Sequence, residues 1–149
     1  MTWLALALAL VAAKAKPAPQ APDLVVKGAH LGLEIADSDT LRAHGLSDRR
    51  SMGWDRGMLF VFPDEDRRVF WMVDCFFDLD VAFLDRDGVV RDVQQMPIEP
   101  GVSQEDLRRY PSNSDRVMYA IEVNRGWMGA HGVRVGDTLA GVRKWTTRR

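Results

Sequence analysis

Leu79-Asp80-Val81-Ala82-Phe83-Leu84-Asp85-Arg86-Asp87-Gly88-Val89-Val90-Arg91-Asp92-Val93 reads as strand, tight turn, strand. The Asp87-Gly88 pair is a strong hairpin signal, because glycine accepts the backbone angles that a tight reversal needs. The same grammar extends to both sides. Upstream, Val25-Val26 and Leu31 to Ala36 alternate apolar with small or polar residues, as a half-buried strand does, and further strands are expected at Met58–Phe62 and Val69–Val73. Downstream, Val117–Val123 keeps the alternation through Met118, Ala120 and Glu122. Between Ala36 and Gly45, an Asp-Ser cluster, a turn or two with Leu41 facing inward and a closing glycine predict a short helix. The one long connection, Pro97 to Asp115, holds a second helical candidate at Ser103–Tyr110. Strands dominate, with no repeat and no βαβ rhythm. The expected fold is mainly β, a single compact β-sandwich or barrel-like domain with one to three short helices.

A chain of 149 residues is the size of one domain and long enough to bury a core. Apolar residues make up 46% and charged residues 28%, the proportions of an ordinary globular protein. The net charge of −1 provides no general field for nucleic acid or an anionic membrane, so neither is an expected partner. Only Cys75 is present, which excludes an intramolecular disulfide and a cysteine-based metal cluster.

The N-terminus differs from the rest. Trp3 to Ala13 is unbroken Leu, Ala and Val, shorter than the ~20 residues a membrane-spanning helix needs. It is followed by small-x-small sites at Val11-Ala12-Ala13 and Ala13-Lys14-Ala15, and so predicts a signal peptide over residues 1–15. Residues 16–22, rich in Pro and Ala, read as a tether. The expected β domain covers 23–142, and the basic stretch 143–149 is an expected tail. Export to the periplasm or outside the cell is therefore anticipated, with no stable membrane span after processing.

Several motifs taken together resemble family 192 of the domains of unknown function. They are Arg56-Gly57-Met58-Leu59-Phe60-Val61-Phe62-Pro63, Phe70-Trp71-Met72, Leu79 to Gly88, Tyr119-Ala120-Ile121-Glu122-Val123-Asn124-Arg125-Gly126 and Gly132-Val133-Arg134-Val135-Gly136-Asp137. The resemblance runs from about Leu33 to Asp137 and implies a compact, often exported β domain of no established activity. The departures from the pattern are specific. Where such proteins usually continue Phe-Trp-Met with Lys-Asn-Thr, this chain has Val73, Asp74 and Cys75; it has Asp78 for a usual Pro, and Ser47 for a usual Met. If that triplet is the family's working site, this member's chemistry is altered or lost.

Candidate site residues are Arg56, Trp71, Asp74, Asp80 and Glu122, with no catalytic residue, metal ligand or cofactor expected. Cys75 with a histidine offers a nucleophile and a base, but Asp74 beside it raises the thiol pKa, so a buried structural cysteine is the better reading. His30, His44 and His131 lack metal-ligand spacing. Trp54, Trp71 and Trp127, with neighbouring methionines, either line a cleft or are core; core is favoured for Trp71. Two functions follow. One is a module binding a small polar ligand or a partner chain, in a cleft near Arg56, Trp71, Asp74 and Asp80. The alternative is a hydrolase of envelope or sugar substrates, which requires two of Asp74, Asp78, Asp80 and Glu122 to face one cavity; a purely structural envelope role is a third reading. Arg56 and Asp80 are expected to pair with each other or with a neighbour at the mouth of the cleft, the alternative being that both are exposed surface charges.

Overall fold

In the computed structural model, which describes residues 23–147, the Asp87-Gly88 turn joins strands β5 (Leu79–Leu84) and β6 (Val90–Met96). Asp85 organises the reversal: its Oδ1 accepts the backbone N–H groups of Asp87 and Val89, and its Oδ2 takes a two-pronged contact from Arg91. Gly88 is required there on two counts. Its φ is +79°, and a Cβ would stand 2.8 Å from the Leu139 carbonyl oxygen.

Six strands form one sheet in the order β1-β2-β3-β8-β5-β6, adding β1 (Asp23–Val26), β2 (Ala29–Ala36), β3 (Arg56–Asp66) and β8 (Val117–Asn124). All pairings are antiparallel except β2 with β3. A parallel pair cannot be joined by a hairpin. The necessary crossover carries α1 (Asp39–His44) and the segment 45–55 across one face of the sheet. A two-stranded ribbon, β4 (Val69–Phe70) with β7 (Tyr110–Pro111), lies apart from the main sheet.

Both faces of the sheet are buried, which is why β5, inside the sheet, is apolar at nearly every position. Leu59, Val61, Ala82, Leu84, Ile121 and Val123 meet Trp127, Met128, Leu139 and Val142 on one face. Met58, Phe60, Val81, Phe83 and Ala120 meet Leu46, Phe70, Met72 and Tyr110 on the other. The mainly β, sandwich-like expectation holds, and the sheet does not close into a barrel.

Local expectations met different fates. The first helix forms with Ser38 accepting the Leu41 N–H and Gly45 closing it at φ +52°. Leu41, however, is 40% exposed, because this six-residue helix buries no side chain and is held by Arg42, which donates to the Val61 carbonyl. Ser103–Tyr110 is not a helix. It makes turns in which Ser103 bonds Asp106, and Tyr110 is already extended ahead of Pro111, as residues before proline prefer to be. The strand expected at Val69–Val73 ends at Phe70. Two short helical elements had no sequence signal: α2 (Trp127–Ala130) and a 3-10 helix, Ala140–Lys144. The latter crosses the boundary expected at 142, and Trp145 packs on the core beside it. The signal segment and tether expected over 1–22 lie outside the described residues. No helix among the described residues is long and apolar enough to cross a membrane.

Candidate functional site

Glu122 is the unusual residue of β8. Its register partners are Met58 on β3 and Val81 on β5, so its side chain leaves the sheet on the face of Phe60 and Phe83, in the middle of apolar surface. It is only 4% exposed. No hydrogen-bond or ion-pair partner for its carboxyl exists among the described residues. Burial alone pushes its pKa up to about 8, so at neutral pH it is predominantly the uncharged acid, a donor as well as an acceptor.

Above Glu122 the crossover, the ribbon and the segment 71–78 leave a cavity of about 410 Å³. Phe60 and Phe62 of β3, Leu46 of the crossover, and Phe70 and Trp71 at the end of β4 form its apolar wall. Phe70 meets Phe60 and Phe83 edge-on, with ring centroids 4.9 and 5.4 Å apart, which fixes the wall to the core. Two loops make the opposite side and are tied together: Ser47 Oγ donates to the Val73 carbonyl at 3.0 Å, and the Asp48 N–H donates to the Asp74 carbonyl at 2.8 Å. Asp48 and Asp74 both hold left-handed backbone angles, φ 65° and 52°, which aspartate tolerates better than most residues.

Cys75 also lines the cavity. Burial, reinforced by the negative charges of Glu122, Asp74 and Asp48, pushes its thiol up to about 12. It is a half-buried wall group whose thiol stays protonated at neutral pH, in line with the structural reading of this cysteine. At the rim stand Arg42, Arg67, Arg68 and His44. Arg42 is bound to Asp39 and Arg68 to Asp64, whereas the Arg67 guanidinium has no partner among the described residues. Arg109 stacks 4.0 Å from the centre of the Trp71 ring.

Of the five candidate residues, the cavity gathers two, Trp71 and Glu122. Trp71 is therefore a half-buried wall residue rather than core. Arg56 is exposed, its side chain laid over Gly32, where an added Cβ would meet Nη1 at 2.6 Å. Asp74 is exposed toward a separate hollow of about 350 Å³ on the far side of segment 71–78. Asp80 lies on the opposite face of the sheet from Glu122, where its Oδ2 accepts the Gly126 N–H at the start of α2. Burial raises the Asp80 pKa, partly offset by N–H donors from Gly126 and Met128. Arg56 and Asp80 consequently do not pair with each other: Asp80 is buried with a neighbouring N–H as its partner, and Arg56 is the exposed charge. Asp78 accepts the Ile98 N–H and pairs with Arg125. Neither of these two cavities is lined by more than one of Asp74, Asp78, Asp80 and Glu122, so neither supplies the paired carboxylates that the hydrolase reading required.

The tryptophans separate as well: Trp54 is 49% exposed, and Trp127 is buried in the opposite core with Nε1 donating to Asp55. The histidines are scattered, His30 against Asp23, His44 at the rim and His131 stacked on Trp127. Among the described residues, no three His, Cys, Asp or Glu side chains converge as metal ligands would. The wall residues Phe60, Phe62 and Phe70 and the rim arginines had not been assigned to a site. Their one sequence signal is Arg67-Arg68 placed between two aromatic segments.

This geometry defines a class: a mainly β domain with a central mixed sheet and a cavity between its crossover and its side ribbon. The chain belongs to family 192 of the domains of unknown function, whose model, described as an uncharacterised ACR, matches residues 24–141. It is similar to a candidate transcription regulator from Sinorhizobium meliloti, with 29% identity, a TM-score of 0.67, and 78% of this chain and 88% of that one covered. It shares its fold with a protein of unknown function from Novosphingobium aromaticivorans, at 24% identity and a TM-score of 0.64, covering 78% and 79% of the two chains. No curated protein matches.

Proposed function

We propose that this protein is a binding module whose cavity over Glu122 takes a small molecule with an apolar body and a hydrogen-bonding group. The observation that carries this reading is the buried carboxyl itself. A polar group withdrawn from water without a partner costs free energy, commonly ~1–3 kcal/mol, and a ligand supplying the missing partner recovers it. The cavity volume lies within the range of small-molecule sites, and its aromatic wall with a few polar groups has their usual composition.

The direct test is a fragment screen by thermal shift on wild type and Cys75→Met, which fills part of the cavity without adding charge. A fragment present at ten times its Kd stabilises the native state by about 1.4 kcal/mol. Fragments that stabilise wild type should lose most of that effect in Cys75→Met. Hits that stabilise both proteins equally would place the binding elsewhere and overturn the reading.

Export is proposed alongside. The apolar run Trp3–Ala13 and the small-residue sites after it support removal near Ala13 or Ala15 and a periplasmic or secreted product. Mass spectrometry of the native protein tests it, and an intact N-terminus in the membrane fraction would refute it.

A further inference from the structure

We infer that the ligand is a small organic anion, a carboxylate that places its apolar body against Phe60, Phe70 and Trp71, its negative head at Arg67, and a neutral hydrogen-bonding group at its other end against Glu122. This inference rests on reading the cavity as a ligand site and specifies the class of molecule that the site selects.

Charge is the deciding observation. Every ionised side chain that lines the cavity is cationic, because the single lining carboxyl, Glu122, is buried and holds its proton at neutral pH. The three arginines differ in their commitments. Arg42 spends its fork on the Val61 carbonyl and Asp39, and Arg68 spends its own on Asp64 and the Val117 carbonyl. Arg67 differs: only its backbone N–H is used, by Asp66 Oδ1, and its guanidinium is exposed at the mouth with no partner among the described residues. An uncommitted guanidinium presents a planar set of donors that matches a carboxylate.

The two ends of the cavity also differ in kind. The deep end offers the neutral acid of Glu122, which suits an uncharged acceptor or donor and penalises a second buried charge. The rim keeps its contact with water, so an anionic head can settle there without full desolvation. An amine would meet the reverse order, cationic groups at the entrance and an uncharged acid at the floor. A buried carboxyl among aromatic rings is otherwise a plausible ammonium site, and for this reason the cation belongs in the test.

Three probes of nearly equal shape separate the possibilities: para-hydroxyhydrocinnamate, its uncharged amide, and para-hydroxyphenylpropylamine, each carrying a phenol hydroxyl for Glu122 and titrated calorimetrically into the full chain at neutral pH. The expected order is anion tightest and amine weakest. Arg67→Gln should weaken para-hydroxyhydrocinnamate about five-fold, the size of an exposed charge pair, and leave the amide unchanged. Added salt should weaken the anion alone. Glu122→Leu, which deletes the deep donor, should weaken anion and amide alike by about ten-fold.

If the amine binds tightest, or if Arg67→Gln leaves the anion untouched, the anion inference is overturned while the cavity survives as a binding site. If no probe binds below about 10 mM, both the inference and the binding-module reading fall.

Discussion

Glu122→Gln should make this protein more stable at neutral pH, an uncommon direction for a change at a buried position. The folded-state pKa of Glu122 is about 8, against 4.5 for the ordinary group. Between those values the unfolded chain has released a proton that the folded chain still holds. Stability therefore falls as pH rises through that window, by about 1.4 kcal/mol per pH unit for a single group. The contribution is complete below about pH 4.5 and exhausted above about pH 8. At pH 7 roughly 2.5 units of the window have been crossed, so wild type has lost about 3 kcal/mol relative to its acid form. Gln has nearly the shape of the protonated acid and no proton to lose. Urea unfolding of both proteins from pH 4.5 to 8 should show curves that meet at the acid end and diverge steadily, the variant ahead by about 3 kcal/mol at pH 7. Every other titrating group is common to both proteins, so the difference isolates Glu122. Parallel curves would refute a raised pKa. A variant less stable than wild type at pH 7 would show that the carboxyl is ionised and held by an unseen partner.

Cys75, whose thiol is held near pKa 12, should react with a thiol reagent at pH 7 only as fast as the native state opens, and rapid labelling before unfolding would revive it as a reactive group. Asp85→Ala should cost about 3 kcal/mol in denaturant unfolding, because it strands two turn N–H groups and the Arg91 fork at a residue that is 0% exposed; a loss under about 1 kcal/mol would mean that the Gly88 turn forms without it. Arg56→Gln should change stability by less than about 1 kcal/mol by the same measurement, since that side chain is exposed and makes no hydrogen bond or ion pair among the described residues, and a larger loss would restore a structural role at the head of β3.

The strands were legible because their signals are local. Leu79–Leu84 announces itself by apolar residues closed off by Asp85 and Gly88, and it folds over those residues. Elements held by distant partners were not legible. Helix α2 has four residues, and the N–H at its start is satisfied by Asp80, 46 positions earlier, so nothing around Trp127 marks it. The site divides in the same manner. Glu122 was visible as a charged residue inside an apolar strand, and Trp71 as an aromatic beside the unusual triplet. Grouping Asp80 with them failed for a geometric reason. Asp80 pairs with Val123 and Val81 with Glu122, so the two carboxylates are one step apart in the sheet, and successive residues of a strand point to opposite faces. One lies under α2 and the other under the cavity, a distinction of strand register that composition does not carry.

Three of the five departures from the family pattern acquire a common location. Ser47 is distant in sequence from Val73 and Cys75, yet all three line the cavity over Glu122, and the Ser47 hydroxyl is bonded to the Val73 carbonyl, whereas Asp74 and Asp78 lie outside it. Putting Ser where a Met is usual shortens a wall residue and supplies the donor for that bond. Putting Val and Cys for Lys and Thr removes one cation and one hydroxyl from the neighbouring stretch. The two loops are further joined by the Asp48 N–H to the Asp74 carbonyl, so a change on one side shifts the surface presented by the other. Meanwhile the core beneath, Phe60, Phe70 and Phe83, is built from strands and packed edge to face, with Cys75 against it. On the proposed reading, changes in this loop-built wall alter which molecule fits while leaving the sheet beneath in place. A further consequence concerns charge: with the usual Lys absent from position 73, the cations remaining at the cavity are the rim arginines, and on the proposed reading Arg67, which has no carboxylate partner among the described residues, sets the sign of what enters.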